Sequence, residues 1–578
     1  MTRIDAVVVG TLVVLLAVVA GVIGVPAFVP SSASPSPTVD ASGDPALRPY
    51  VEGALGAPVS VSPLTARSQA DRDLVALVFA GLVRNGPAGT IVPDLASSWS
   101  VDSTGRTWTV RIRDDATWHD GQPVTSDDVL YTIGALQDPA YTGPSATSWS
   151  EVRVGAPDAK TVTFTLATPL GGFLQALTQP LAPAHILGDV PVDLLIDHPF
   201  GRAPIGAGPF SLTVLTDTHA SLVPAIPATD GPEATPSAPV SATDSLASAA
   251  PTVRPQRPLP YLAGIEMRYF TEPADLLAAY RSGTLDAASG LSPADANTLA
   301  DAAGTRVLHY PGATLTAGLL NLAPDHPEFQ RPDVRLALLA YVDRAALITA
   351  AFDDAAVLAV GLIPPSSVMF DAASSPPVAY DAAAAQRVLE AADWTKEDDG
   401  WHLPGADDPL AIEVLSPTEE ASPSVYAAAV AVVAAWTAAG FETTHVALPP
   451  GDFVTERLRP GAFQVAVADV TIGLDPDLYP LLASSQTLEG GSNVMGVQDP
   501  ALDVLLEAAR APGTDEERKA DYKALQVQLA AGRYMLQLAW ADELAVVRDT
   551  VEGPTIRQVV DASDRFWDVL TWRLADGR

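Results

Sequence analysis

The sequence contains no cysteine and only four lysines, and each shortage limits the chemistry that the chain can perform. Without cysteine there is no disulfide, no cysteine nucleophile, no thiolate metal site and no lipid attached to a cysteine. The few lysines accompany 69 acidic residues and a formal net charge of −36. A surface this negative repels phosphate backbones and anionic lipids, so nucleic acid is a poor partner.

Motifs of catalysis and of metal binding are also missing. No two of the eight histidines have zinc-ligand spacing, and neither Gly-x-Ser-x-Gly nor Ser-x-x-Lys occurs. His119 beside Asp120 could be a general base, but a structural histidine in a turn is the preferred interpretation. The triplet Asp475–Asp477 could be a carboxylate pair, although a proline turn is the more common reason for it. We therefore predict no catalytic residue, no metal and no cofactor.

One long apolar run stands at the N-terminus. Residues Ala6 to Val25 carry no charge, and twenty residues are enough to span a bilayer core as a helix. The run is either an uncleaved signal anchor or a signal peptide that is cut near Ser31 to Ala33. Its length favours the anchor, so we expect a transmembrane helix within residues 1–30 and a flexible Pro/Ser-rich tether at 31–47. Both interpretations place the remaining chain outside the cytoplasm.

The rest of the chain is organised around the stretch from Phe79 to Tyr131. Apolar and polar residues alternate from Arg106 to Arg113, which predicts a half-buried strand. Asp120-Gly121 predicts a turn, and the acids that follow Thr125 predict the start of a helix.

These segments carry the phrases GLV, PDLASSW, RIRDDATWHDGQPVT and SDDVLYT in that order. Their order and spacing resemble family 5 of the bacterial solute-binding proteins, the peptide- and nickel-type receptors of ABC importers. Further phrases extend the resemblance from about residue 55 to 560. It implies an α/β, two-lobed, periplasmic-binding-protein-like fold (type II, large cluster C type) with mixed sheets and an inserted small domain.

The resemblance also implies a domain order. The expected parts are domain I at 48–80, domain II at 81–200, domain I again at 201–318, domain III at 319–532 and a final return to domain I at 533–578. The Pro/Ala/Ser-rich run at 227–258 is expected to be a disordered insertion.

Several local expectations accompany this order. Pro58 to Leu64 is expected to form a strand and turn, and Gly206 with Gly208 a tight return of positive φ. Gly400 to His402 and Leu410 to Leu415 are expected to form a hairpin. A helix over Val425 to Ala439 between two strands predicts a parallel sheet in domain III.

The segment expected to face a ligand runs from Asp452 to Asp477. In peptide-binding family members an aspartate about three residues before the DPD triplet holds the peptide's ammonium group. Here Ile472 or Gly473 stands at that position, and Val470 replaces the family's tryptophan.

The candidate ligand-binding residues are therefore Asp469, Val470, Thr471, Ile472 and Gly473. Asp469 could replace the missing acid, although a strand-end residue is an equally good interpretation. Arg457 is a candidate partner for a ligand carboxylate, with a solvent-facing helix charge as the alternative.

The resemblance implies that the protein is an extracytoplasmic receptor of an ABC importer. Such a receptor captures a solute and delivers it to a membrane permease. A peptide is the expected solute, and the receptor is expected to be a monomer. The alternative is a membrane-tethered sensor or scaffold that reuses the receptor fold, and an enzyme is the third hypothesis.

Overall fold

A computed structural model describes residues 48–141, 143, 149–225, 261–487 and 491–575. The predicted membrane helix, the tether and the insertion at 227–258 lie outside these residues. Among the helices in the described ranges, none is both long enough and apolar enough to cross a bilayer.

The described strands, numbered in chain order, are β1 Tyr50–Leu55, β2 Val83–Asn85, β3 Ile91–Pro93, β4 Ala96–Val101, β5 Thr107–Ile112, β6 Arg153–Asp158, β7 Thr161–Thr165, β8 Phe210–Leu215, β9 His219–Pro224, β10 Ile265–Phe270, β11 Ala287–Ser289, β12 Thr305–Leu320, β13 Ala356–Leu358, β14 Thr395–Glu397, β15 Gly400–His402, β16 Ala411–Pro417, β17 Glu442–Leu448, β18 Val465–Thr471, β19 Met535–Arg548, β20 Val551–Glu552 and β21 Arg573–Leu574.

The described α-helices are α1 Gln69–Val78, α2 Ser126–Gln137, α3 Phe173–Ala176, α4 Ala184–Leu187, α5 Pro273–Arg281, α6 Pro293–Ala300, α7 Pro332–Ala340, α8 Arg344–Phe352, α9 Ala382–Ala391, α10 Pro423–Ala439, α11 Pro450–Asp452, α12 Tyr479–Leu482, α13 Pro500–Arg510 and α14 Asp515–Gly532. Shorter helical turns are the 3-10 helices Pro87–Gly89, Val192–Asp197, Pro199–Arg202, Pro327–Phe329 and Ala562–Thr571 and the π-helix Phe453–Leu458.

The predicted two-lobed α/β fold is confirmed by the way in which the apolar cores separate. One large core and a smaller one combine residues before Pro311 with residues after Asp542. Two other cores draw only on residues between Leu315 and Trp540. We call these parts lobe 1 (48–311 and 542–575) and lobe 2 (315–540).

Two long antiparallel strands, β12 and β19, join the lobes. They belong to one mixed sheet of order β17-β16-β18-β12-β19-β11-β1-β10-β9-β8, with β13 beside β19. The register between β12 and β19 shifts between Pro311 and Leu315. A bulge of this kind bends and twists a strand pair, so the crossing of the two lobes lies here.

Lobe 1 is held together by a buried charge network. The Arg565 guanidinium contacts Glu52 Oε1 at 2.8 Å and Asp73 Oδ2 at 2.6 Å, and all three side chains are almost fully buried. These residues lie on the C-terminal 3-10 helix, β1 and α1, so the network fastens the C-terminal segment to the beginning of the domain. A second sheet, β4-β5-β7-β6, also belongs to lobe 1 and packs its buried side chains into the large core.

The predicted parallel arrangement in lobe 2 is confirmed, because β16 pairs in parallel with both β17 and β18. Helix α10 connects β16 to β17, and Gly440 ends it with a left-handed φ of 99°. The predicted hairpin is wrong: β15 pairs with β14 instead, and β16 lies in the large sheet. Strand β16 pairs with β17 over seven residues, whereas β15 has only three residues with which it could pair.

Two local expectations in lobe 1 are also wrong. Residues 58–64 form no strand, because the N–H groups of Val59 and Ser60 donate to the Asp71 carboxylate rather than to a neighbouring strand. Gly206 and Gly208 do not have a positive φ. They are glycines because a Cβ would lie 1.9 Å and 2.7 Å from the Val78 carbonyl oxygen.

Candidate functional site

The candidate site lies where the parallel strands of lobe 2 end. Strands β16, β17 and β18 all point their carboxyl ends toward the same edge of the sheet. Ligands of open α/β sheets bind outside this edge. Here the edge faces the crossing between the lobes, because the N–H of Ile472 donates to the Ala313 carbonyl at 2.9 Å, beside the bulge in β12.

Asp469 is the charged residue of this edge. In the antiparallel register Asp469 lies opposite Thr316 and Thr471 lies opposite Thr314, so the four side chains share one face of the sheet. The Thr316 hydroxyl donates to Asp469 Oδ1 at 2.5 Å, and the two threonine hydroxyls of the other pair are 3.2 Å apart. These contacts make a polar surface on the crossing strands.

The Asp469 carboxyl is accessible from the surface but poorly hydrated. The residue is exposed at the surface, yet the protein that surrounds its carboxyl raises the pKa of that group, and the Thr316 hydroxyl lowers the pKa only in part. A group that faces a cleft shows this combination, since a cleft admits a few water molecules but excludes bulk water. A carboxylate held in this way attracts a cation strongly.

The remaining candidates on this segment have different positions. Val470 and Ile472 turn into the opposite, apolar core of lobe 2. Gly473 has a φ of 83°, a conformation that a residue with a side chain adopts only under strain. The segment therefore offers ligand contacts through Asp469, through Thr471 and through the backbone at Gly473.

Arg457 is not brought together with Asp469. Its guanidinium pairs with Glu413, near the start of β16, and its Nε donates to the Ala462 carbonyl at 2.6 Å. Ala462 precedes β18 whereas Asp469 lies near its end, so Arg457 stands at the opposite end of the strand.

The lobes touch each other just beyond the site. The Gly171 N–H of lobe 1 donates to the Arg510 carbonyl of lobe 2 at 2.8 Å. The neighbouring Gly172 packs on the Asp475 carboxylate, which Arg518 Nη2 holds with contacts of 2.8 Å and 2.9 Å. We call this contact the clasp (Gly171, Gly172, Asp475, Arg510 and Arg518).

The acids of the DPD triplet thus have structural partners. Asp475 is held by Arg518 and by the Tyr522 hydroxyl at 3.2 Å, and Asp477 Oδ2 lies 3.1 Å from Arg510 Nη2. His119 likewise lies between two backbone groups of the returning loop, the Gly206 N–H and the Gly208 carbonyl.

A cluster with the composition of a metal site occurs elsewhere in the described part of lobe 2. Glu397, Asp399 and His402 bring one ligand atom each to within 4.8 Å of one another on the β14–β15 hairpin. His402 Nε2 already contacts Asp399 Oδ1 at 2.9 Å, which accounts for the arrangement as an ion pair.

Lobe 1 contains a cavity of about 580 Å³ between α1, β2 and the C-terminal 3-10 helix. Its wall includes Arg557, whose side chain is 6% exposed, and Trp567, whose ring lies under the Arg557 guanidinium. Sequence reasoning missed both residues. Arg557 stands at the end of the family resemblance and Trp567 beyond it, so no motif marked either of them.

Comparisons with known proteins agree with this architecture. The family model described as bacterial extracellular solute-binding proteins, family 5 Middle, matches residues 90–491. An ABC transporter peptide-binding protein of Brucella ovis is 26% identical over 449 residues, which are 75% of this chain and 76% of that protein.

Two solved structures share the fold. The oligopeptide-binding protein AppA from Bacillus subtilis, in complex with a nonapeptide, has a TM-score of 0.66 at 20% identity, over 92% of this chain and 100% of that one. NikZ from Campylobacter jejuni, in complex with Ni(L-His), has a TM-score of 0.65 at 22% identity, over 91% of this chain and 99% of that one.

The family model describes solute-binding proteins and the Brucella ovis relative is named a peptide-binding protein, which favours solute binding over the scaffold alternative. The matched segment covers more than half of the 578 residues and includes the sheet β4-β5-β7-β6, the crossing strand β12 and the candidate ligand-binding residues 469–473. The chain belongs to family 5 of the bacterial extracellular solute-binding proteins.

Proposed function

We propose that this chain is the solute-binding component of an ABC importer and that it captures a peptide, or a similar small solute, between its two lobes. The family membership supports solute capture, and the name of the Brucella ovis relative supports a peptide as the solute. The observation that carries the proposal is Asp469, a poorly hydrated carboxylate at the strand ends that face the crossing of the lobes.

Asp469 is proposed to bind the ammonium group of the ligand. Its carboxylate accepts a single hydrogen bond, from Thr316, among the contacts of the described residues. A carboxylate has room for about four hydrogen bonds, so an ammonium group finds free acceptor positions here. Thr471 and the Gly473 backbone lie next to it in sequence and complete the proposed ligand contacts, whereas Val470 and Ile472 pack into the apolar core and support the segment.

The clasp explains how capture leads to delivery. A ligand that touches both lobes binds the closed form better than the open form and shifts the population toward it. The clasp is formed only when Gly171 and Gly172 meet the Asp475 segment, so it marks the closed form. The permease is proposed to recognise this form of the receptor.

The receptor is proposed to act outside the cytoplasm as a monomer, tethered by an N-terminal helix. The uncharged run from Ala6 to Val25 is long enough to anchor the chain. A tethered receptor stays near its permease at a high effective concentration.

A thermal-shift experiment on the full-length chain tests the proposal. Pools of di- to pentapeptides are added, with sugars and nickel–histidine as other solute classes. We expect peptide pools to raise the melting temperature by several degrees, because ligand that binds only the native state stabilises it by mass action. No shift with any peptide pool would contradict peptide capture, and a shift with another class would replace the peptide by that solute.

A further inference from the structure

A second carboxylate without a partner lies on the strands that join the lobes. Glu543 stands on β19 opposite Tyr310 of β12, just on the lobe 1 side of the crossing. We propose that Glu543 binds a cationic side chain of the captured peptide, so that the receptor selects peptides with a lysine or an arginine beyond the N-terminal residue. The inference rests on the proposed function, because it names the chemical class of the captured solute.

Glu543 and Asp469 lie on the same face of the large sheet. Asp469 is opposite Thr316 of β12, and Thr316 is opposite Ala539 of β19. Successive side chains of a strand point to opposite faces, so Glu543, four residues after Ala539, returns to the face of Asp469. The packing agrees with this alternation, since Ala539 and Val467, two residues before Asp469, belong to the same apolar core of lobe 2.

The separation of the two carboxylates suits one extended peptide. Asp469 and Glu543 are two strand spacings apart across the sheet and four residues apart along β19. These steps are about 10 Å and about 14 Å, which gives about 17 Å between the two Cα atoms. An extended chain advances about 3.3–3.6 Å per residue. A peptide with its ammonium group on Asp469 therefore brings its third to fifth side chains within reach of Glu543.

The Glu543 carboxylate has no partner of its own. Among the residues that the structure describes, it takes part in no hydrogen bond and no ion pair. The acids beside it are paired: Asp542 Oδ2 lies 3.2 Å from His309 Nδ1, and Asp561 Oδ2 lies 2.8 Å from Arg72 Nε. Glu543 thus keeps its acceptor positions for a ligand.

The surroundings of Glu543 distinguish it from an ordinary surface glutamate. Its side chain is exposed, yet the surrounding protein raises the pKa of its carboxyl, and Asp561 and Asp73 raise that pKa further. Arg565 and Arg72 lower the pKa, but both arginines already form ion pairs with other acids. Two acids and two arginines balance each other, which leaves the charge of Glu543 uncompensated where water has poor access. A cation of the ligand compensates it.

The two carboxylates stand on opposite sides of the crossing. Asp469 belongs to lobe 2 and Glu543 to lobe 1, with the bulge of β12 between them. A peptide that binds both carboxylates contacts both lobes and so favours the closed form. The net charge of −36 attracts any cationic peptide at long range, so a test of Glu543 has to separate this general attraction from a specific contact.

Isothermal titration of the full-length chain with two matched pentapeptide pools tests the inference. One pool carries a single lysine at the third, fourth or fifth position. The other carries norleucine there, which has four side-chain carbons like lysine but no ammonium group. The wild-type chain is expected to bind the lysine pool about tenfold to a hundredfold more tightly, the range for a hydrogen bond to a charged group. Glu543→Gln is expected to lose most of this preference and to keep the wild-type affinity for the norleucine pool.

Control variants separate this contact from general effects of charge and folding. Glu552→Gln removes the same charge from an exposed position of β20 in the same lobe and is expected to keep the preference. Asp469→Asn is expected to weaken the binding of both pools equally, because both have the N-terminal ammonium group. If Glu543→Gln does not fold, Glu543→Asp, whose carboxylate is one carbon shorter, replaces it and is expected to reduce the preference severalfold.

The outcomes for the contact and for peptide capture are distinct. Equal affinity of the wild-type chain for both pools overturns the Glu543 contact and leaves the proposed function standing. A lysine preference that Glu543→Gln keeps in full, as Glu552→Gln does, also overturns it and assigns the preference to net charge. Binding of neither pool refutes peptide capture itself.

Discussion

Gly172→Ala isolates the part that the clasp plays in ligand capture. A Cβ on Gly172 would lie 2.3 Å from Asp475 Oδ2 and 2.6 Å from its Cγ, closer than side-chain atoms approach in proteins. Gly172 has φ −78° and ψ 5°, which an alanine adopts without strain. The substitution therefore disturbs the contact between the lobes and leaves the backbone of lobe 1 as it is.

The size of the effect on affinity depends on the hydrogen bonds that the Asp475 carboxylate loses. Its carboxylate is fixed by two contacts with Arg518 and one with Tyr522, so it moves away from a methyl group only by losing part of them. A hydrogen bond to a charged group contributes about 1.5–3 kcal/mol. If closure costs about 2–3 kcal/mol more, the apparent dissociation constant rises about thirtyfold to a hundredfold.

Titration calorimetry with a peptide that binds the wild-type chain measures this loss, and hydrogen exchange of residues 170–174 reports on the clasp itself. In the wild-type chain the ligand is expected to protect the Gly171 N–H, and in Gly172→Ala this protection is expected to be lost. Gly134→Ala is the matched control, because Gly134 lies in α2 of the same lobe and a Cβ there meets nothing within 4 Å. Wild-type affinity and wild-type protection in Gly172→Ala would refute the clasp as a requirement for capture.

Four further predictions concern three charged residues, Asp469, Arg565 and Arg457. Because burial raises the pKa of Asp469, peptide affinity is expected to fall as the pH drops through that raised pKa, and calorimetry of Asp469→Asn is expected to give a flat profile. The ionised Asp469 carboxylate opposes folding once the pH exceeds the unfolded pKa of 3.8. At neutral pH the unliganded Asp469→Asn chain is therefore expected to melt at a higher temperature than the wild-type chain. A lower melting temperature of Asp469→Asn would contradict the desolvated site. Arg565→Met leaves Glu52 and Asp73 buried without their cation and is expected to reduce the free energy of unfolding by about 3–5 kcal/mol in urea denaturation, and a loss below about 1 kcal/mol would contradict the network. Arg457→Ala is expected to leave peptide affinity within about twofold, and a larger loss would bring Arg457 back into the site.

The sequence predicted well the elements that local pattern determines. The helix expected over Val425 to Ala439 is observed as Pro423–Ala439, and the strand expected after it is observed as Glu442–Leu448. The helix after Thr125 begins with the capping box that its acids indicated. In each case hydrophobic period and end signals agree, so little is left for tertiary context to change.

Pairing over long distances could not be predicted in the same way. The residues of β15 carry no information on whether β14 or β16 is the partner, and Asp71 replaces a strand neighbour at Val59 and Ser60 through side-chain contacts. The buried Arg335 guanidinium donates to the backbone carbonyls of Phe329, Gly532 and Arg533, which lie far apart in the chain. No pattern of residue types distinguishes these choices.

The candidate site was predictable only on the side of lobe 2. Asp469 could be named as a candidate because the family resemblance identifies its segment as ligand-facing and the usual acid is missing there. The lobe 1 cavity is assembled from residues of α1, of β2 and of the segment after Val551, which lie hundreds of positions apart. The burial of Arg557 beside Asp564 in this cavity is a property of three-dimensional packing and is visible only in the structure.

Native mass spectrometry of the full-length chain, released gently from detergent, tests the central claim most directly. The proposed receptor is expected to carry co-purified peptide as discrete added masses. Asp469→Asn is expected to lose most of them, since the ammonium group loses its charged partner. A wild-type chain that carries no added mass after incubation with peptide pools, or an Asp469→Asn chain that retains the same masses, contradicts capture of a peptide at this site.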